Sequence, residues 1–245
     1  MELQLPQNVR QLAAGETFNF ICHPDLECFT ECCRDLELAL TPYDVLRLKS
    51  ALHLKSSEFL DRYGIIEKGE QDTFPRLYLT MVDDGRASCP FVTAAGCTVY
   101  DSRPGACRTY PLGRAVTQNA DNSRNEFHVL LSEPHCRGHN ATNAQCFTSA
   151  SWTDDQELAS YNEFNDLLLS LLQHEQVKQG RRLTSKQTDL FIMALYDLDA
   201  FRDFLLQPNC KSAAAPPEKL RSMAASDTAL LRFAIGWLQN ELFGE

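Results

Sequence analysis

No stretch of this 245-residue sequence approaches the roughly 18 consecutive apolar residues that read as a membrane-spanning helix. The opening residues, MELQLPQNVRQ, lack a basic segment followed by an apolar one, so the expectation is a chain without a secretory leader and with a cytoplasmic location. Positive charge is also scarce. Lys and Arg number 23 against 33 Asp and Glu, for a net charge of −10 shared between residues 1–149 and 150–245. Phosphate contacts need a local excess of basic residues, and no basic block exists, so neither nucleic acid nor an anionic membrane is expected as partner. Internal repeats are lacking as well, and GRASCPF is no phosphate-binding loop.

What the sequence does have is cysteine: ten residues, in a chain long enough to bury an ordinary core without covalent staples. In a reducing compartment, clustered thiols bind metal or do redox chemistry more often than they form structural disulfides. Nine of the ten precede residue 147. The reading is therefore a cysteine-bearing domain at 1–150 followed by a helical region at 151–245.

Local signals fill in this division. TPYDVLRLKSAL predicts a helix capped by Thr41, with Pro42 first and Asp44 in the opening turn. SSEFLDRYG predicts a second short helix ending at Gly64. This pair has the outline of a helix-turn-helix, but the acidic balance opposes DNA binding, and a helical hairpin over the metal site is the expected role. RLYLTMV alternates like a strand, and with ASCPFV and CTVY it predicts a small β-meander carrying Cys89 and Cys97 near its turns. Residues 113–125 read as an exposed loop and EFHVLLS as a strand. Beyond Trp152, Thr153 with Gln156 suggests a capped helix, and 185–206 and 226–243 suggest two further helical regions joined by a linker at 207–220. The expected class is α+β: a loop-rich metal-binding core with short antiparallel strands and a helical pair, then a mostly α-helical C-terminal part.

The cysteine spacing carries the chemistry. CHPDLECFTECC puts Cys22, Cys28, Cys32 and Cys33 within twelve residues, and Cys89, Cys97, Cys107 and Cys136 follow. Short spacings let a loop turn several thiolates inward to one centre. Eight thiolates suit two four-ligand sites of zinc or iron–sulfur type, or one cluster plus a separate metal or redox pair. The adjacent Cys32 and Cys33 are expected to have different surroundings, because neighbouring residues project apart. Cys146 and Cys210 read as small buried apolar residues. His23, His135 and His139 sit beside cluster cysteines and read as surface or supporting groups, while His53, His128 and His174 have no such neighbours.

These segments carry a resemblance. FICHPDLECFTECC, then CPFVTAAGCTVYDSRPGACRTYP, then HCRG, is similar over roughly residues 18–140 to the YkgJ-type cysteine-cluster proteins, described as zinc- or iron-chelating. The family pattern is a cysteine group ending in Cys-Cys, then C-P-F, then C-x-[IV]-Y-x-x-R-P-x-x-C-R-x-[YF]-P. It falls here on Cys32-Cys33, on Cys89-Pro90-Phe91, and on Cys97 through Pro111. The family includes flagellin lysine N-methylases, which use S-adenosylmethionine and are associated with a [4Fe–4S] cluster. The resemblance thus implies an iron–sulfur protein of redox or methyl-transfer type, with a protein partner or protein substrate. The alternative is a zinc-binding structural or metal-handling module. Arg103 and Arg108, which bracket Cys107, and Tyr110 are the candidates to offset cluster charge and to donate hydrogen bonds to it.

Overall fold

The computed structural model describes residues 5–118, 124–207 and 225–244. Cys210 and all but the first residue of the 207–220 linker lie outside them. The fold is α+β, and the chain divides into two compact units, each built from two separate stretches. One takes residues 1–36 and 81–162, the other 37–80 and 163–245. All eight candidate ligands fall in the first. Residues 37–80, which the sequence reading groups with the cysteines, belong to the second. No described helix is long and apolar enough to cross a membrane.

In the first unit, β1 (Val9–Leu12), β9 (Arg124–Leu131) and β8 (Leu112–Gln118) form an antiparallel sheet in the order β1-β9-β8. Leu12 pairs with His128 and Leu112 with Leu130. The loop expected at 113–125 is therefore strand as far as Gln118. Its polar composition hides a register in which Gly113 lies so close to Val129 that a Cβ would meet the valine methyl at 2.8 Å. A second ribbon pairs β2 (Thr17–Phe20) with β10 (Gln145–Thr148). Cys146 lies exposed on this ribbon and is not the buried apolar residue expected. A two-residue hairpin, β6 (Val92–Thr93) with β7 (Gly96–Cys97), turns at Ala94 and Ala95. Short helices α3 (Gly105–Thr109) and α4 (Ser149–Asp155) complete the unit.

The helix after Trp152 differs from expectation. Thr148, not Thr153, caps α4, exchanging hydrogen bonds with Ser151, and α5 (Ala159–Leu172) begins only after a break. The core here is aromatic. Trp152 is 5% exposed, meets the rings of Phe18, Phe20 and Phe147 edge-on, and donates its indole N–H to the Thr109 carbonyl at 2.9 Å.

The second unit centres on a three-stranded antiparallel sheet of β3 (Ala39–Leu40), β5 (Arg76–Leu79) and β4 (Gly64–Glu67), in the order β3-β5-β4. RLYL is thus the middle strand of this sheet, and of the meander expected after it the antiparallel bridge between Val82 and Ser88 and the β6–β7 hairpin form. Helices α1 (Pro42–Ala51) and α2 (Ser56–Tyr63) flank it. Thr41 caps α1 as read from the sequence: its hydroxyl accepts from the Asp44 N–H at 3.3 Å, and the Asp44 carboxylate accepts from the Thr41 N–H at 2.8 Å. The C-terminal stretch supplies α6 (Glu175–Lys178), α7 (Ser185–Leu195), α8 (Leu198–Leu205) and α9 (Asp227–Phe243). The helical region expected at 185–206 is interrupted at Tyr196, and Asp197 caps the second piece by accepting from the Ala200 N–H.

Buried charge ties these helices together. Lys49, 5% exposed, reaches Asp199 at 3.2 Å and Asp227 at 2.8 Å, and Arg202 bridges the same two carboxylates. Asp199 also accepts from the Ser56 N–H at 2.8 Å and hydroxyl at 3.0 Å. Burial works against its ionised form, but the Ser56 N–H, Arg202 and Lys49 outweigh burial and hold the carboxyl below its ordinary 3.8. Removing one partner of a fully buried ion pair costs about 3–5 kcal/mol. The two acids here keep 30% and 28% of their side-chain surface exposed, so Lys49→Met is expected to cost about 2–3 kcal/mol. A depressed carboxyl pKa contributes stability above the unfolded value and loses it as pH falls through the folded one. The difference between variant and wild type should therefore hold near neutrality and shrink below pH 3.8. Denaturant unfolding followed by far-UV circular dichroism measures it, and an unchanged midpoint at neutral pH would contradict this role.

Candidate metal centre

Four segments bring the thiols together, and backbone hydrogen bonds set each approach. The chain leaves β2 at Phe20, and the Ile21 N–H donates to the Gly138 carbonyl at 3.2 Å. This holds Cys22 against the stretch containing Cys136. The Arg137 N–H then donates to the Cys28 sulfur at 3.2 Å across 109 residues of sequence. On the other side the Cys89 N–H donates to the Cys33 carbonyl at 2.8 Å, and the Asp35 N–H to the Ala87 carbonyl at 2.9 Å. The Arg34 guanidinium reaches the Ser88 hydroxyl at 2.5 Å. Cys89 in turn accepts from the Val92 N–H, and Val92 pairs with Cys97 across the β6–β7 hairpin. Cys107 lies on α3.

Cys32 and Cys33 end a single turn of 3₁₀ helix, Glu31–Cys33, entered through Thr30 in the left-handed region at φ 65°. A 3₁₀ helix has three residues per turn, so successive side chains leave its axis about 120° apart. The two thiols still hydrogen-bond to one another, and this bond favours the Cys32 thiolate, bringing its pKa down to about 7, while it pushes the Cys33 thiol up. Their remaining neighbours differ. Cys32 feels the carboxylates of Glu133 and Glu31; Cys33 feels Cys107 and Cys89. Burial, then the charges of Cys32, Cys28 and Cys136, raises Cys22 to about 11. Burial also raises Cys89 and Cys97.

Among the described residues, no group of three or more His, Cys, Asp or Glu side chains is placed to hold a metal ion. The sulfurs are gathered as neighbours, and the donor set decides which metals they suit. It is all thiolate, the chemistry that selects zinc and iron–sulfur clusters over oxygen-loving cations. Two buried polar atoms among these segments have no hydrogen-bond partner. The Tyr110 hydroxyl is buried beside Cys136 without a formed hydrogen bond, and His23 Nε2 is buried and unpartnered next in sequence to Cys22. Burial first, then Cys136, pushes the Tyr110 phenol strongly up, so it stays a donor. A cleft of about 440 Å³ lined by Asn19, Ser132, Arg137 and His139 reaches Cys136.

The two arginines act differently from each other. The Arg103 guanidinium stacks over the Tyr100 ring at 3.9 Å and donates to the Tyr100 carbonyl and to Gln156. Its charge acts on Cys22, Cys97 and Cys107, although burial lowers its own pKa. Arg108 instead donates to the Gln156 and Asp101 carbonyls, at 2.7 and 2.8 Å, and pairs with Glu157 at 3.4 Å. It is a strut between α3 and the end of α4. Of the histidines, His135 pairs with Glu133 at 3.4 Å, and His139 meets the Leu131 carbonyl at 2.9 Å and packs on Phe20.

Sequence reasoning missed Ser88, Gln156 and Gly138. The first two act through contacts more than 50 residues away, and no local signal marks them. Gly138 stands next to a motif, and its requirement is steric: a Cβ there would collide with the Ile21 carbonyl and meet the Phe20 ring at 2.7 Å. Gly138→Ala should therefore push residues 136–139 off β2 and weaken metal retention at least several-fold without removing a sulfur. Competition with a chromophoric chelator measures it, and wild-type retention would contradict the tether.

No curated protein and no solved structure matches the chain. Residues 22–137 match the family described as CxxCxxCC, "Putative zinc- or iron-chelating domain". That span begins at the first candidate ligand and ends one residue after the last. Over those residues, just under half of the chain, the protein is similar to the CxxCxxCC family of zinc- or iron-chelating domains.

Proposed function

We propose that this chain is an iron–sulfur protein whose cysteine unit holds a [4Fe–4S] cluster through thiolates of the 22–136 set. The observation that carries the reading is the convergence of thiols from four separate segments, fixed by the Arg137 N–H to Cys28 sulfur bond and the Cys89 N–H to Cys33 carbonyl bond. The dispersed spacing supports iron–sulfur over a zinc ribbon, whose paired ligands sit close in sequence. Donors beside the sulfurs support it further. Arg103 offsets negative charge near Cys97 and Cys107, and the buried Tyr110 hydroxyl can donate to Cys136; both raise the potential of a sulfur-ligated centre. Such a cluster, when bound, supplies one-electron redox capacity. The chain's own part is to bind it, screen its charge through Arg103, and leave solvent a path through the cleft at Cys136.

The activity proposed with it is redox chemistry or S-adenosylmethionine-dependent methyl transfer onto a protein, in the cytoplasm. A second reading rests on the donor set alone, because four thiolates serve tetrahedral zinc equally well. In that case the domain is a zinc-stabilised interaction or metal-handling module. Purification without air, followed by a visible spectrum and iron, zinc and acid-labile sulfide analysis, separates the two. The iron–sulfur reading expects a brown chain with iron and sulfide in equal amounts. A colourless chain with stoichiometric zinc would overturn it.

A further inference from the structure

The eight thiols do not form one ring. Backbone tethers sort them into two sets joined at the Cys32–Cys33 peptide. On one side, the Ile21-to-Gly138 bond and the Arg137 N–H bond to the Cys28 sulfur draw Cys22 and Cys28 to the turn that carries Cys136. On the other, the Cys89-to-Cys33 bond, the Val92-to-Cys89 bond and the Val92–Cys97 pairing chain Cys33, Cys89 and Cys97 together. Cys107 joins this second set through its action on Cys33, while the charge of Arg103 reaches Cys97 and Cys107 here and Cys22 in the first set. The adjacent pair is divided by the 3₁₀ turn, which sends its side chains about 120° apart.

We propose that the domain builds two four-thiolate centres, the first from Cys22, Cys28, Cys32 and Cys136 and the second from Cys33, Cys89, Cys97 and Cys107, with the Cys32–Cys33 peptide as their common wall. Most of the repulsion between the sulfurs lies within these sets: Cys22 is acted on by Cys32, Cys28 and Cys136, and Cys33 by its neighbour Cys32 first, then by Cys107 and Cys89. Cys32 and Cys33 also act on one another across the boundary between the sets. Each set supplies four thiolates, the number taken by a tetrahedral zinc or by one cubane. The twin-cysteine motif then has a physical reason: one short turn supplies a ligand to each of two adjacent centres.

This inference rests on the metal-binding reading above, and the test keeps the two apart. The full chain, reduced and stripped of metal, is titrated with cobalt(II) while thiolate-to-cobalt charge-transfer absorption is followed. Two equivalents per chain are expected at saturation. One equivalent would overturn the partition and leave metal binding standing, and no absorption would overturn both. Single variants then assign the sets. Cys28→Ser and Cys89→Ser should each halve the bound metal. Adding Cys32→Ser to Cys28→Ser should cost nothing further, whereas adding Cys33→Ser to it should abolish binding. Loss of all metal from either single variant, with far-UV circular dichroism unchanged, would overturn the proposal. If a variant does not fold, the wild-type endpoint still decides the number of centres.

Discussion

The arrangement of the cysteine unit depends on one backbone hydrogen bond, from the Cys89 N–H to the Cys33 carbonyl. It fixes the end of the first cysteine group against the start of the second, across a sequence gap that holds a sheet and two helices of the other unit. The side chains of Arg34 and Ser88 and the neighbouring bond from Asp35 to Ala87 reinforce it. Because the bond uses main-chain atoms, it leaves both sulfurs free for chemistry. A side-chain tether at the same place would have consumed a ligand or crowded the site.

Around that junction the unit is held by aromatic packing and by two arginines of unequal role. Trp152 and Phe20 form the apolar floor, and Phe20 also contacts Tyr110 and His139 at the edge of the first thiol set. Arg108 joins α3 to α4 through main-chain carbonyls, so its position supports Cys107 from behind. Arg103 brings its charge to the sulfurs themselves. Thiolates repel one another, and a domain that gathers them needs either protons or cations to offset that cost. Burial, more than repulsion, favours the protonated thiols of Cys22, Cys89 and Cys97, and a metal ion would supply the cation instead.

Much of the site was legible because its information is local. The Cys-Cys pair, the Cys-Pro-Phe step and the Cys97-to-Pro111 motif are contiguous strings, and the matched span of 22–137 follows them. The Thr41–Asp44 cap and the Gly64 stop were equally local. What escaped is relational. Periodicity shows that RLYL has an apolar face but not which strands pair with it, so its place between β3 and β4 was hidden. Thr153 resembles a cap, yet Thr148 wins because Ser151 returns its hydrogen bond. The polar 113–118 stretch is strand because β9 offers it a ladder, which composition cannot reveal. Arg103 and Arg108 looked alike in sequence and both reach Gln156, but Arg103 stacks on Tyr100 and acts on the cysteines while Arg108 binds the Asp101 carbonyl.

The central claim is that these eight thiols, and not the cysteines in general, bind metal. Cysteine alkylation of the full chain, with and without metal and read residue by residue by mass spectrometry, tests it most directly. Metal should shield Cys22, Cys28, Cys32, Cys33, Cys89, Cys97, Cys107 and Cys136, while the exposed Cys146 labels equally in both states. Labelling of the eight that metal leaves unchanged, or protection extending equally to Cys146, would contradict the account.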